Sequence, residues 1–289
     1  MPRRRSERAF FVYRCQFQED MFASTTHEPP SLVNYLESVL RAQSPPEHRK
    51  KYKNWRVANF LTDPQYPTLL YFRVGRIAAA RGEHFSSDDW RFEEASQEES
   101  ESSAIVFDST TEYLLVEKNS QLDSGLVIRR LEYIFNSAAA AKRYHRILNL
   151  YEVTSADDAI VQLSRLSKIY TFRAWLRRPN PAVSRAYRRL YEGVVENSGS
   201  TEQTVTWKSP SGDLSVNAGS PVRGAVDMSA DAYGDWKAIG RTRSGARKEL
   251  QSDQAIETLR LSIEVPKSTL RSAFDAIQRF VKGRDGDER

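Results

Sequence analysis

The chain has 289 residues, 39% hydrophobic and 28% charged, with thirteen Tyr, thirteen Phe and five Trp; that is enough apolar material for one large or two modest cores and excludes disorder throughout. The single Cys15 excludes an intrachain disulfide, and His27, His48, His84 and His145 lie far apart with no cysteine nearby, which argues against a structural zinc site. The formal charge is +5, "MPRRRSER" lacks the apolar stretch of a secretory signal and no apolar run is long enough to span a membrane, so a soluble, cytoplasmic chain without membrane insertion, metal or cofactor is expected.

In chain order, "RAFFVYRCQF" reads as an aromatic strand, and "SLVNYLESVLRAQ" as a helix capped by Ser31 with Leu32, Tyr35, Leu36, Val39 and Leu40 on one face. "PPEHRKKYK" reads as a basic loop and "PTLLYFRVGRI" as the next strand. Glu83 to Glu101 then concentrates eight carboxylates against Arg91, in a Ser-rich context. Residues 83–103 have the composition of a solvated, disordered-type insertion. Beyond it, "SAIVFDSTTEYLLVEKN" is a hairpin signal, "DSGLVIRRLEYIFNS" a helix capped by Asp123 or Ser124, "RILNLYEVT" a strand and "SADDAIVQLSRLS" a helix with Ser155 at its N-cap.

From Ala159 to Tyr191, 33 residues carry eight Lys or Arg and no acid. Within this run "KIYTFRAWLR" alternates, with Tyr170, Phe172, Ala174 and Leu176 facing a core and Thr171, Arg173, Trp175 and Arg177 facing away. Arg178 begins "RPNP", which stops the strand; Pro181 opens a helix whose solvent side carries Arg185, Arg188 and Arg189. Arg177, Arg178, Arg185, Arg188 and Arg189 are expected to form a ridge for phosphates, and Trp175 either stacks on a ligand or lies under another layer. "QTVTWKS", "GDLSV", a short helix in "PVRGAVDMSADAYG" and a hairpin turning near Ser244 and Gly245 follow. That hairpin carries Lys237, Arg241, Arg243, Arg247 and Lys248, a second basic cluster on a ribbon slim enough for a DNA major groove. "ETLRLSIEV" presents Leu259, Leu261, Ile263 and Val265 inward, and the last helix presents Leu270, Ala273, Phe274, Ile277 and Val281.

Strands and helices intermix, so the expected class is α+β with mixed or antiparallel sheets, divided into an N-terminal domain (1–150) and a basic C-terminal domain (151–289). Catalytic patterns are sparse. Gly240 and Gly245 have part of the spacing of a phosphate-binding loop, but Ala246 stands where Lys is required. The best set for metal-dependent nuclease chemistry is Asp108, Glu117 and Lys118, although adjacent Glu117 and Lys118 point to opposite faces of a strand. A non-enzymatic binder of duplex DNA, working through backbone contacts, is therefore expected. A metal-dependent nuclease and a subunit docking an acidic partner are the alternatives.

The order of elements, carried by "FFVYRC", "LVNYLESVL", "IVFDSTTEYLLVEKNSQLDSGLVIRRLEYIFN", "RPNP" and "AIGRTRSG", resembles the RexA-like phage exclusion proteins and related bacterial families. The resemblance implies a homodimer that binds double-stranded DNA without strong sequence preference, acts in defence against phage and signals to a membrane-protein partner. It carries over no catalytic residue, and the acidic tract is a departure from it.

Overall fold

The structure, a computed structural model, describes residues 7–19, 31–42, 55–86, 91–141, 146–177, 202–262 and 266–286. It is an α+β fold with two sheets. The strands are β1 (Glu7–Glu19), β2 (Trp55–Asp63), β3 (Tyr66–Ser86), β4 (Arg91–Asp108), β5 (Tyr113–Glu117), β6 (Arg146–Glu152), β7 (Leu166–Arg177), β8 (Glu202–Lys208), β9 (Gly234–Thr242), β10 (Arg247–Gln251) and β11 (Thr258–Ser262). The helices are α1 (Leu32–Arg41), α2 (Ser124–Ala141), α3 (Ala156–Leu163), α4 (Pro221–Ala230) and α5 (Pro266–Gly286).

Helix starts follow from single capping side chains, each giving one of the otherwise unpaired first-turn N–H groups an acceptor. Ser31 Oγ accepts from Asn34 N at 3.1 Å, Asp123 Oδ1 from Leu126 N at 2.8 Å, Ser155 Oγ from Asp158 N at 3.1 Å and Ser220 Oγ from Arg223 N at 3.1 Å. Pro221 fits the first turn of α4, where its missing N–H costs nothing. On α1 the buried face is Val33, Tyr35, Leu36, Val39 and Leu40. Val33 thus takes the place expected of Leu32, which is half-buried.

The chain divides into two compact units. The first comprises residues 1–11, 15–150 and 258–289, and the second residues 12–14 and 151–257. The C-terminal segment therefore belongs with the N-terminal residues rather than with the domain expected to run from 151 to the end. The reason is β-pairing: β11 runs antiparallel to β1, with Ala9 opposite Arg260 and Phe10 opposite Leu259.

In the first unit the sheet runs β11-β1-β5-β4-β3-β2, and β6 also pairs with β1. α1 packs on α2, β2 and β3, and α5 on β11, β3 and β2. β5 is buried at every position, as are Leu69–Phe72 of β3, so this sheet is covered on both sides in its middle. On α5, Leu270, Ala273 and Ile277 are buried as expected, but Phe274 is exposed and lies against Tyr66, ring centroids 5.2 Å apart. Ile263 and Val265 lie outside the residues whose burial is described.

β3 and β4 stay in antiparallel register to Ser86 opposite Arg91. The acidic tract expected as a disordered-type loop is therefore mostly a strand, its backbone satisfied by pairing with β3, which composition alone does not reveal. Glu83 stands opposite Glu94 in this register.

The second unit holds the four-stranded sheet β10-β9-β7-β8. Its inner face carries Phe172, Ala174 and Leu176 from β7 and Trp236 and Ala238 from β9, packed with Leu163, Val222, Val226 and Met228 from α3 and α4. Phe172 stacks on Trp236 with ring centroids 5.6 Å apart and planes 19° from parallel. Gly240 lets β9 pass the irregular stretch of β7, since a Cβ there would lie 2.2 Å from Lys168 O. Among the described residues no helix is long and apolar enough to cross a membrane.

Candidate nucleic-acid interface

The outer face of the four-stranded sheet is built by strict alternation. The side chains next to Phe172, Ala174, Trp236 and Ala238 must point the other way, and Arg173, Trp175, Arg241, Thr204, Thr206 and Lys208 are exposed there. Among the described residues no helix packs on this side.

Register gathers the cations into rows. Arg173 stands opposite Lys237 on one side and Thr206 on the other, while Arg241 stands between Lys168 and Arg247. Four residues along β9 separate Lys237 from Arg241, about 13 Å at strand rise. Arg173 Nε donates to Thr206 Oγ1 at 3.3 Å, and its guanidinium lies 5.9 Å from the Trp175 ring centroid. Lys237 Nζ contacts Glu249 Oε1 at 2.6 Å, and Gln251 Nε2 donates to the same oxygen at 3.0 Å. Those two hydrogen bonds hold the Glu249 carboxyl below its usual range.

The sheet thus brings together Arg173, Trp175, Lys237, Arg241 and Arg247. Trp175 is 37% exposed, so it is not under another layer. Arg243 is exposed at the hairpin turn, where Gly245 adopts φ +81°. Lys248 pairs with Gly240 and alternates with Arg247, so it projects from the opposite side of the sheet. Arg178, Arg185, Arg188 and Arg189 lie outside the described residues. Lys168 and Lys208 belong to the face although sequence reasoning did not select them; the alternation Thr204, Thr206, Lys208 was the available signal for one, whereas Lys168 reaches Arg241 only through an irregular register.

Arg177 is not free on this face. Its Nη2 is 2.5 Å from Asp235 Oδ2, its Nε 3.9 Å from Glu202 Oε1, and its guanidinium lies 4.0 Å over the Tyr151 ring. The phosphate role expected of it is replaced by an ion pair in a cluster that also contains Glu152. Burial, then the charges of Asp235 and Asp253, push the Glu152 carboxyl up to about 7 against the pull of Arg177. Beside this cluster a cavity of about 500 Å³ is lined by Trp175, Arg177, Glu202, Gln203, Thr204 and Asp235.

The candidate nuclease residues do not converge. Asp108 closes its turn by accepting from Thr110 N at 3.1 Å and Thr111 Oγ1 at 2.8 Å. Glu117 pairs with Arg8 and accepts from Ala104 N at 2.9 Å, roughly 13 Å along the hairpin from Asp108. Lys118 lies over the Phe11 ring at 5.2 Å. Among the described residues no group of three or more His, Cys, Asp or Glu could hold a metal ion.

Fold and face together define an α+β protein whose second unit offers one side of an antiparallel sheet, studded with Arg and Lys, to solvent. The chain belongs to the family described as a domain of unknown function (DUF4747), whose model matches residues 80–282 and so takes in every strand of the four-stranded sheet. No curated protein matches the chain.

Proposed function

We propose that the second unit binds nucleic acid, duplex DNA in the first instance, through its backbone and without strong sequence preference. The observation that carries this reading is the register of the outer face: Arg173 beside Lys237, and Arg241 between Lys168 and Arg247, on a side of the sheet that is exposed. Cations with no core task in two rows about 13 Å apart suit the phosphates flanking a major groove about 12 Å wide. Arginine predominates, and its planar fork matches phosphate oxygens. Binding of this kind is the activity implied by the resemblance to the phage exclusion proteins.

The test replaces Arg173, Arg241 and Arg247 together by Ala. Exposed charges contribute within about 0.5 kcal/mol each to stability, so the fold should persist. Affinity for all duplex sequences should fall alike, and the log-log salt slope should shrink by up to about three units, one for each phosphate no longer neutralised. Parent-like affinity and slope in the triple variant would remove the face from nucleic-acid binding.

A further inference from the structure

The cationic rows end at Trp175, and beyond Trp175 the chemistry changes. The next position outward on β7 is Arg177, already paired with Asp235, and the cavity there is bordered by the carboxylates of Asp235 and Glu202. Phosphate would be repelled by that pair of carboxylates. On the outer side of this cavity Arg177 Nη1 is buried and has no hydrogen-bond partner among the described residues, whereas Gln203 stands opposite Leu176 and so turns its side chain toward the inner face. Buried polar groups left without partners are uncommon and costly, so an unpaired guanidinium donor beside a cavity needs explaining.

A heteroaromatic edge that carries an acceptor and a donor side by side would match the Arg177 donor and the Asp235 carboxylate. Trp175 supplies the other half of such a site, because it lines the cavity and is 37% exposed, leaving ring surface for a planar group to stack on. On its other side Trp175 adjoins Arg173, the first cation of the phosphate rows.

We propose that this cavity receives one unpaired nucleobase, stacked on Trp175 with its edge toward Arg177 and Asp235, while the adjoining rows hold the flanking phosphates. The inference rests on the nucleic-acid reading of the face and narrows it: the preferred ligand is DNA with a single-stranded end or junction rather than a closed duplex. Stacking on an aromatic side chain tolerates every base, which agrees with binding of little sequence preference.

The experiment compares a blunt duplex, the same duplex with a short single-stranded overhang, and that duplex with an overhang of abasic residues, each titrated by fluorescence anisotropy. The overhang should tighten binding about tenfold, the typical worth of one base stacked on an aromatic ring. The abasic overhang should not, although it carries the same phosphates. Trp175→Ala should erase the gain, and Trp175→Phe should keep most of it. The abasic probe is read on the parent protein, so the test stands whether or not a variant folds. Equal affinity for blunt and overhanging duplex, a gain that survives abasic substitution, or a gain that survives Trp175→Ala overturns the base site while leaving the phosphate face standing. If the parent binds none of the probes, both readings fall.

Discussion

The two sheets answer the same physical demand in opposite ways. In the first unit, β5 is buried at every residue, and Leu69, Leu70, Tyr71 and Phe72 follow one another on β3 without an exposed position. In the second, β8 alternates between exposed and half-buried, and β9 between buried and half-buried until it reaches Arg241. A sheet covered on both sides uses every side chain for packing and has none left for a partner. A sheet covered on one side leaves every second residue unneeded by the core. The placement of Arg173, Trp175, Lys237, Arg241 and Arg247 on such positions is why function is sought there.

The sharpest way to break this contrast uses two tryptophans on neighbouring strands. Trp236 is 1% exposed on the inner face and stacks on Phe172, whereas Trp175 is 37% exposed on the outer face. Trp236→Ala should cost about 3–5 kcal/mol, the transfer and cavity terms together. Trp175→Ala should cost about half as much, since 37% of its surface stays in water on folding. Urea unfolding of the two variants checks this, and equal losses would mean that the outer face is packed after all.

How far the sequence discloses this arrangement depends on whether a feature is local. Caps at Ser31 and Ser155 and the alternation through Phe172, Ala174 and Leu176 are legible because each is decided within a few residues. β2 is not, because its register with β3 shifts after Ala58 and again after Leu61, and Asn59 takes a positive φ of 58°; period-two alternation does not survive those irregularities. The acidic tract misleads for a related reason: its strand is imposed by β3 across the hairpin, while Ser and Glu score poorly as strand formers. At the face, the basic residues are visible in sequence, but that Arg173 meets Lys237 across 64 positions of chain, and that Lys248 turns away, is set by non-local register. The cavity beside Arg177 was invisible for the same reason, since Asp235 comes from another strand.

The units also treat buried carboxylates differently, which yields a prediction of intermediate size. Glu117 in the first unit is matched by Arg8 and by the Ala104 amide. In the second, Glu152 shares Arg177 with Asp235 and is pushed up to about 7. A carboxyl whose folded value is raised favours the folded state when protonated. Its contribution is complete below the ordinary carboxylate range and is lost as pH rises through about 7. Glu152→Gln, neutral at every pH, should therefore resemble the parent at low pH and exceed it in stability by up to about 3 kcal/mol at pH 8. Unfolding midpoints for both proteins across pH 4 to 8 decide the matter, and parallel curves would show that the cluster does not hold Glu152 protonated.

The smallest expected effect concerns the one acid set among the cationic rows. Glu249 binds Lys237 at 2.6 Å and so withholds that ammonium from a phosphate. On a covered sheet, removing one member of such a pair would strand a buried charge, but Glu249 is exposed and Lys237 can turn to solvent or to DNA. Glu249→Gln should leave the unfolding midpoint in place, tighten DNA binding a few-fold at low salt and steepen the log-log salt slope by about 0.9, the increment for one further phosphate neutralised. The gain should fade as salt rises, because the interaction it adds is purely electrostatic. A tighter complex with an unchanged slope would mean that the new side-chain amide makes a neutral hydrogen bond to the DNA instead. An unchanged affinity would place Lys237 outside the footprint, and the phosphate track would then run along Arg241, Arg247 and Lys168 alone.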